Sequence, residues 1–212
     1  MSSSPTRPAP PPDQERRQIL DALAEVCIRE GYRKASVDSV VEEAGTTRVA
    51  FDRHFADLED CFAAYILETR EAFLAEVGGA VLQHAGWREQ MRAAAYGIVR
   101  FWQEDVRRAR MILIEVHSAG PRAQLVRDEG MQMMVALIDQ GRSLMPDPDL
   151  LTRATAEAVA GAIMNQMRLI LDRGEADRAQ EHVAGLMYSV VLPYVGSEAA
   201  LEELEIPPPE EG

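Results

Sequence analysis

Residues 36–55, SVDSVVEEAGTTRVAFDRHF, read as two short helices joined by a tight turn. Val37, Val40, Val41 and Ala44 recur at offsets 0, 3, 4 and 7, which places them on one face of a short helix. Ser36 stands where a hydroxyl can accept an orphan amide of the first turn. Gly45 follows the last apolar position, where a left-handed residue ends a helix without a Cβ penalty. Thr47 supplies a second cap, and Phe51 and Phe55 at i,i+4 anchor the helix after it. Helix, glycine turn and capped helix make a helix-turn-helix, whose second helix enters the DNA major groove with its N-terminal residues against base edges. With Phe51 and Phe55 turned inward, helical periodicity turns Val49 and Arg53 outward and sets Ala50 and Asp52 on the flanks. Arg48 occupies the first turn, within reach of the groove. Taken alone, the pattern equally describes a plain helical hairpin with a solvated charged face.

The flanks decide between the two. From Ile19 to Phe62 the chain resembles the N-terminal domain of TetR-family transcriptional regulators, through Gly31-Tyr32, Ala35-Ser36-Val37, Ala44-Gly45, Arg53-His54-Phe55 and Asp57-Leu58-Glu59-Asp60. The remainder matches that family only in length and helical layout. Three positions depart from the family pattern: Asp52 replaces an aromatic phosphate-contacting residue, Leu58 a lysine, and Val49 a common glycine. The resemblance implies an all-α fold, with a three-helix helix-turn-helix DNA-binding domain over residues 14–60. An antiparallel helical bundle for effector binding and dimerisation follows over 61–196. A disordered tail (1–13) and an acidic tail (197–212) flank them. It further implies a homodimeric, ligand-responsive repressor, released from a palindromic double-stranded operator by a small apolar or amphipathic effector. The residues expected at DNA are Arg33, Lys34, Ser36, Thr46, Thr47, Arg48, Val49, Ala50, Asp52, Arg53 and His54.

Charge opposes this reading at first sight. The chain carries a formal net charge of −13, whereas DNA affinity rests largely on neutralising phosphates. Residues 1–60 hold eight basic and twelve acidic side chains, a net −4. Local placement must therefore do the work, with Arg33, Lys34, Arg48, Arg53 and His54 on the groove side and Arg16 and Arg17 opening the first helix. Asp52, Leu58 and the acidic balance also fit an alternative, a dimeric interaction protein with a degenerate DNA-binding domain.

The first 13 residues, MSSSPTRPAPPPD, are too rich in Pro and Ser to pack; Arg7 within them is a candidate minor-groove arm or plain solvated tail. The first helix is expected from Gln14 to Glu30, with Ile19, Leu23, Val26 and Cys27 inward. No charged-then-apolar leader and no long uncharged apolar run occur, so a cytoplasmic protein without a membrane partner is expected. Cys27 and Cys61 read as buried free thiols, with a redox pair as the alternative. His54, His84, His117 and His182 lack metal-ligand spacing, so no metal and no cofactor is expected. Gly-x-Gly-x-x-Gly, Gly-x-Ser-x-Gly and His-Glu-x-x-His are all missing, which speaks against an enzyme.

A fourth helix capped by Asp57 is expected to run towards Gly78-Gly79, and the resemblance gives it the role of carrying the ligand signal. Trp87, Met91, Ala95, Ile98 and Trp102 then form an apolar stripe, Met111-Ile-Leu-Ile114 is apolar all round, and Gly120-Pro121 opens a helix carrying Leu125, Met131, Met134, Leu137 and Ile138. Antiparallel helices of this kind enclose apolar pockets with few polar groups. The candidate effector-pocket residues are Tyr96, Trp102, Met111, Glu115, His117, Met134, Asn165 and Gln166, each equally readable as core. The candidate dimer interface is Ala158, Ala162, Val183, Leu186, Met187, Val190, Val191 and Tyr194, from a small-residue face and an apolar stripe. That stripe also fits a role confined to the bundle's own core.

Overall fold

The first helix, α1 (Pro12–Glu30), opens on a proline whose fixed φ suits a first turn in which an amide proton would have no partner. It stops at Gly31, in the positive-φ region. The structure, a computed structural model, describes residues 11–209. Residues 1–10 of the expected tail, Arg7 among them, and residues 210–212 lie outside the described residues, while Pro12 and Asp13 belong to α1.

Helices α2 (Val37–Glu43) and α3 (Arg48–His54) form the expected pair. Ser36 Oγ accepts from Ser39 N at 3.1 Å while Ser39 Oγ accepts from Ser36 N at 3.0 Å, a reciprocal cap. Thr47 Oγ1 accepts from Ala50 N at 3.2 Å. Gly45 makes the turn between them at φ 61°, a conformation that costs other residues a Cβ clash. Helix α4 (Leu58–Leu82) is capped by Asp57, which accepts from Asp60 N at 2.8 Å. It continues through Gly78-Gly79, four residues beyond the first of those glycines, because neighbouring helices hold it on both sides. Ile19, Leu23, Val26, Cys27, Phe51 and Phe62 are fully buried in the core these four helices share.

The rest consists of α5 (Trp87–Glu104), α6 (Val106–Leu113), α7 (Pro121–Asp139), α8 (Arg153–Asp172), α9 (Val183–Val195) and α10 (Ser197–Glu203). They surround a second core containing Trp87, Phe101, Trp102, Ile138 and Tyr194. Helix α6 joins the two: Met111 lies in the first core, Ala109 and Leu113 in the second. Gly97 lets α5 approach α4 closely, since a Cβ there would stand 2.3 Å from Val77 Cγ1. Leu125 on α7 is largely exposed.

The acidic tail expected from residue 197 is a correction. It begins with α10, whose Ala200 and Glu203 are buried. Glu203 Oε1 accepts from Arg88 Nε at 2.6 Å, and Oε2 accepts from Arg92 Nη2 at 2.7 Å. A carboxylate loses its hydration here only because each oxygen meets a guanidinium. Composition marked the segment as solvated; the partners that bury it lie more than a hundred residues earlier.

Candidate DNA interface and ligand cavity

Helix α3 is oriented by what it buries. Phe51 and Ala50 are inaccessible, and Phe55 after it is nearly so. Arg48, Val49, Asp52 and Arg53 therefore project outward, joined by exposed Lys34, Ser36 and Thr47, with Thr46 half-buried. Val49 is 71% exposed, an apolar side chain offered to solvent on the first turn of the helix. Ala50, expected on a DNA-facing flank, is instead packed inside, because the helix turns its inner face one residue further than the two phenylalanines suggest.

The cations on this face are held by carboxylates. Arg48 Nε bonds Asp52 Oδ1 at 2.9 Å, and Arg48 Nη1 stands 3.6 Å from Asp38 Oδ1. Buried Glu15 of α1 collects Arg53 Nη1 at 3.1 Å and His54 Nε2 at 3.0 Å. His54 is consequently drawn towards α1 and is mostly covered. Arg16 pairs with Glu68 and stacks on the Phe55 ring, 5.2 Å from its centroid. Lys34 has no ion-pair partner among the described residues.

Arg33 reaches the other way: its Nε donates to Ser118 Oγ at 3.2 Å, in the 3-10 turn Glu115–Ser118 between α6 and α7. Beside it, buried Glu115 accepts from Tyr32 N at 2.9 Å and lies against Gly31. At the start of α7, Arg122 N donates to Glu59 Oε1 at 2.6 Å, and the Arg122 guanidinium bonds Asp57, holding that carboxyl below the usual range. The helix-turn-helix and the start of α4 are thus tied to the 3-10 turn and the α7 N-terminus by bonds from side chains to both backbone and side-chain groups. Cys27 is buried in the same core, and desolvation, reinforced by Glu115 and Glu30, pushes its thiol up to about 12. Burial likewise raises Cys61, so neither thiol is a reactive nucleophile at neutral pH.

Behind that junction lies a partly open cavity of about 490 Å³ lined by α4, α5, α6, α7, α8 and α9, a size that suits a small organic ligand. Helix α4 lines it from Ile66 to Leu82 and α7 from Val126 to Ile138. Seven of the chain's 10 methionines face it, side chains that repack around irregular shapes. Of the expected pocket residues, Trp102 and Met134 line it. The other six do not: Met111 and Glu115 serve the first core and the junction, Tyr96 is buried in the second core, His117 and Asn165 are exposed, and Gln166 is half-buried outside the lining. Sequence reasoning missed Phe73, Met131, Arg70 and Arg127; the cluster Met131, Met133, Met134 was the available signal.

The apolar stripe of α9 requires the largest correction. Val183, Met187, Val190, Val191 and Tyr194 are buried within the protomer, and Leu186, Met187 and Val190 line the cavity. Helical periodicity identifies a face that needs covering; here the chain covers it itself. Ala158 and Ala162 do lie outward on α8, with Gly161 and Asn165, and the outer face of α9 shows Gly185, Ser189, Leu192 and Val195. Among the described residues no helix is long and apolar enough to cross a membrane.

Comparison with known proteins agrees with this architecture. Residues 19–65 match the family model described as "Bacterial regulatory proteins, tetR family". The HTH-type transcriptional activator FasR of Mycolicibacterium smegmatis is 26% identical over 102 residues, 48% of this chain and 47% of that protein, so the match spans about half the length of the curated relative. The fatty acid degradation regulator FadR of Bacillus halodurans superposes with a TM-score of 0.73 at 14% identity, covering 88% of this chain and 97% of that one. FadR of Bacillus subtilis, solved in complex with stearoyl-CoA, gives 0.70 at 17% identity over 85% and 98% of the two chains. At such identities the superpositions establish the fold alone. The family match over the helix-turn-helix, carried by the same residues that cap and pack α2 and α3, makes residues 19–65 similar to the DNA-binding segment of the tetR family of bacterial regulatory proteins.

Proposed function

We propose that the protein is a dimeric transcriptional regulator in which residues 14–60 bind double-stranded operator DNA and the following bundle, with α10, binds an acyl-chain effector and the second protomer. One observation carries the reading: α4 packs its first turns into the helix-turn-helix core and lines the cavity with the rest of its length. A ligand that wedges α4 from α7 would disturb both the Arg122 clamp and the seating of α3. On this mechanism ligand and operator favour different conformations, and each opposes the other's binding by the same factor. Repression relieved by ligand is the form we propose; the matched relative is named an activator, so the sign of control belongs to the test.

The effector class is supported by the methionine-rich apolar lining and by the stearoyl-CoA bound to one structural relative. Every methylene buried should tighten binding by up to about 0.8 kcal/mol, about fourfold. Calorimetric titration of straight-chain acyl compounds from octanoyl to stearoyl is expected to show affinity rising with length until the cavity is full. An affinity independent of chain length would contradict an acyl-chain site.

A further inference from the structure

We propose that Arg70 and Arg127 form an anionic head-group anchor inside the cavity, at the α4–α7 wall, for an oxygen of a carboxylate or phosphate carried by an otherwise apolar chain. This rests on the reading of the cavity as an acyl-chain site and adds which end of the ligand goes where.

Among the described residues the lining contains two charged side chains, both arginines, and no carboxylate. Arg127 Nε is buried and has no hydrogen-bond partner among the described residues. An unpartnered donor of a charged group gives up its hydration for nothing in return, and an anionic oxygen supplied by a ligand would satisfy it once the side chain turns its guanidinium towards the cavity. Arg70 is fixed against the same turn of α7. Its Nη1 donates to Val126 O at 3.2 Å and to Glu129 Oε2 at 3.0 Å, and its Cδ passes within 3.6 Å of the place a Cβ on Gly130 would take. Two helices thus bring one guanidinium each to the same stretch of wall. The other polar side chain nearby, Thr69, already donates its hydroxyl to Tyr65 O at 2.8 Å.

The carboxylates that meet these arginines stand on the solvent side. Asp128 accepts from Arg127 Nη1 at 2.6 Å, and Asp128 and Glu129 are each 57% exposed. Such exposed pairs are weak, whereas an anion within the cavity meets the same guanidinium groups in surroundings of lower dielectric. The position matters for signalling: Ile66 belongs to the helix-turn-helix core and Val126 and Ile112 pack against it, and all three line the cavity. The head group would therefore lie at the end nearest the DNA-binding helices, with the chain running towards Phe73, Met134 and Leu186.

The test uses the full chain with three ligands of one length, each below its micelle concentration: dodecanoate, dodecanol and dodecanoyl-CoA. Competition against a fluorescent fatty-acid analogue measures all three on the wild type, Arg127→Met and Arg70→Met, with circular dichroism to verify folding. The wild type should prefer dodecanoate or dodecanoyl-CoA over dodecanol by about tenfold or more, as a charge-assisted hydrogen bond supplies. Arg127→Met should remove most of that preference and leave dodecanol binding unchanged. A loss confined to the acid assigns the anchor to a carboxylate, and a loss confined to the thioester assigns it to phosphate. Equal wild-type binding of anion and alcohol, or a preference that survives both variants, overturns the anchor while leaving the acyl site standing. Failure of all three ligands to bind the wild type overturns the acyl-chain reading itself.

Discussion

Ala162→Glu is expected to turn a dimer into a monomer and, with it, to abolish operator binding. Ala158, Gly161 and Ala162 make an exposed face on α8 whose small side chains permit close helix contact. In a twofold dimer the same patch serves both protomers, so one substitution places two carboxylates in the interface. Each would be buried without a partner, at a cost of several kcal/mol per ion. A monomer presents a single α3, and the second half-site's contribution to affinity disappears. Light scattering and fluorescence anisotropy on one preparation check both halves of the expectation. Leu186→Glu makes an informative contrast. Its side chain faces the cavity, so it should stay dimeric and lose the ligand; monomers from Leu186→Glu and dimers from Ala162→Glu would reverse the assignment of faces.

The second large effect belongs to Arg48. If it reads a guanine edge, Arg48→Ala should cost about 1–3 kcal/mol per half-site, hence about 2–6 kcal/mol in the dimer, and relax preference at one base position. If it contacts phosphate alone, the loss should be uniform across sequences and the salt dependence shallower. Either way the arginine must leave Asp52 and Asp38 to reach DNA. Asp52→Asn is therefore expected to tighten binding to operator and scrambled duplex alike, by releasing Arg48 and removing a charge that repels phosphate. Weaker binding on the operator alone would mean that Asp52 accepts a hydrogen bond from a base. Titrations at two salt concentrations on both duplexes separate these outcomes.

Local signals were legible from the residues themselves. Ser36, Gly45, Thr47 and Asp57 act on the backbone within a few positions of where they stand, so reading them required no knowledge of the tertiary fold. Burial of Ile19, Leu23, Val26 and Cys27 followed equally from periodicity. What periodicity does not carry is the identity of the partner. Val183, Met187 and Val190 needed a cover, and α9 found it within its own bundle; Glu203 looked solvated until Arg88 and Arg92 arrived from α5. Glu115, chosen for a pocket, serves Tyr32 N across the junction instead. The cavity was the least legible feature, because it forms from six helices and only Trp102 and Met134 were named for it in advance.

In the proposed mechanism one helix, α4, links an acyl ligand to operator affinity. The most direct test is fluorescence anisotropy on an operator recovered by random-DNA selection, titrated with protein at fixed salt, without ligand and with a saturating long-chain acyl ligand already shown to bind. Ligand is expected to weaken operator binding by about tenfold or more, a coupling of about 1.4 kcal/mol, and operator to weaken ligand binding by the same factor. Tight binding of both partners with identical operator curves in the presence and absence of ligand would contradict it.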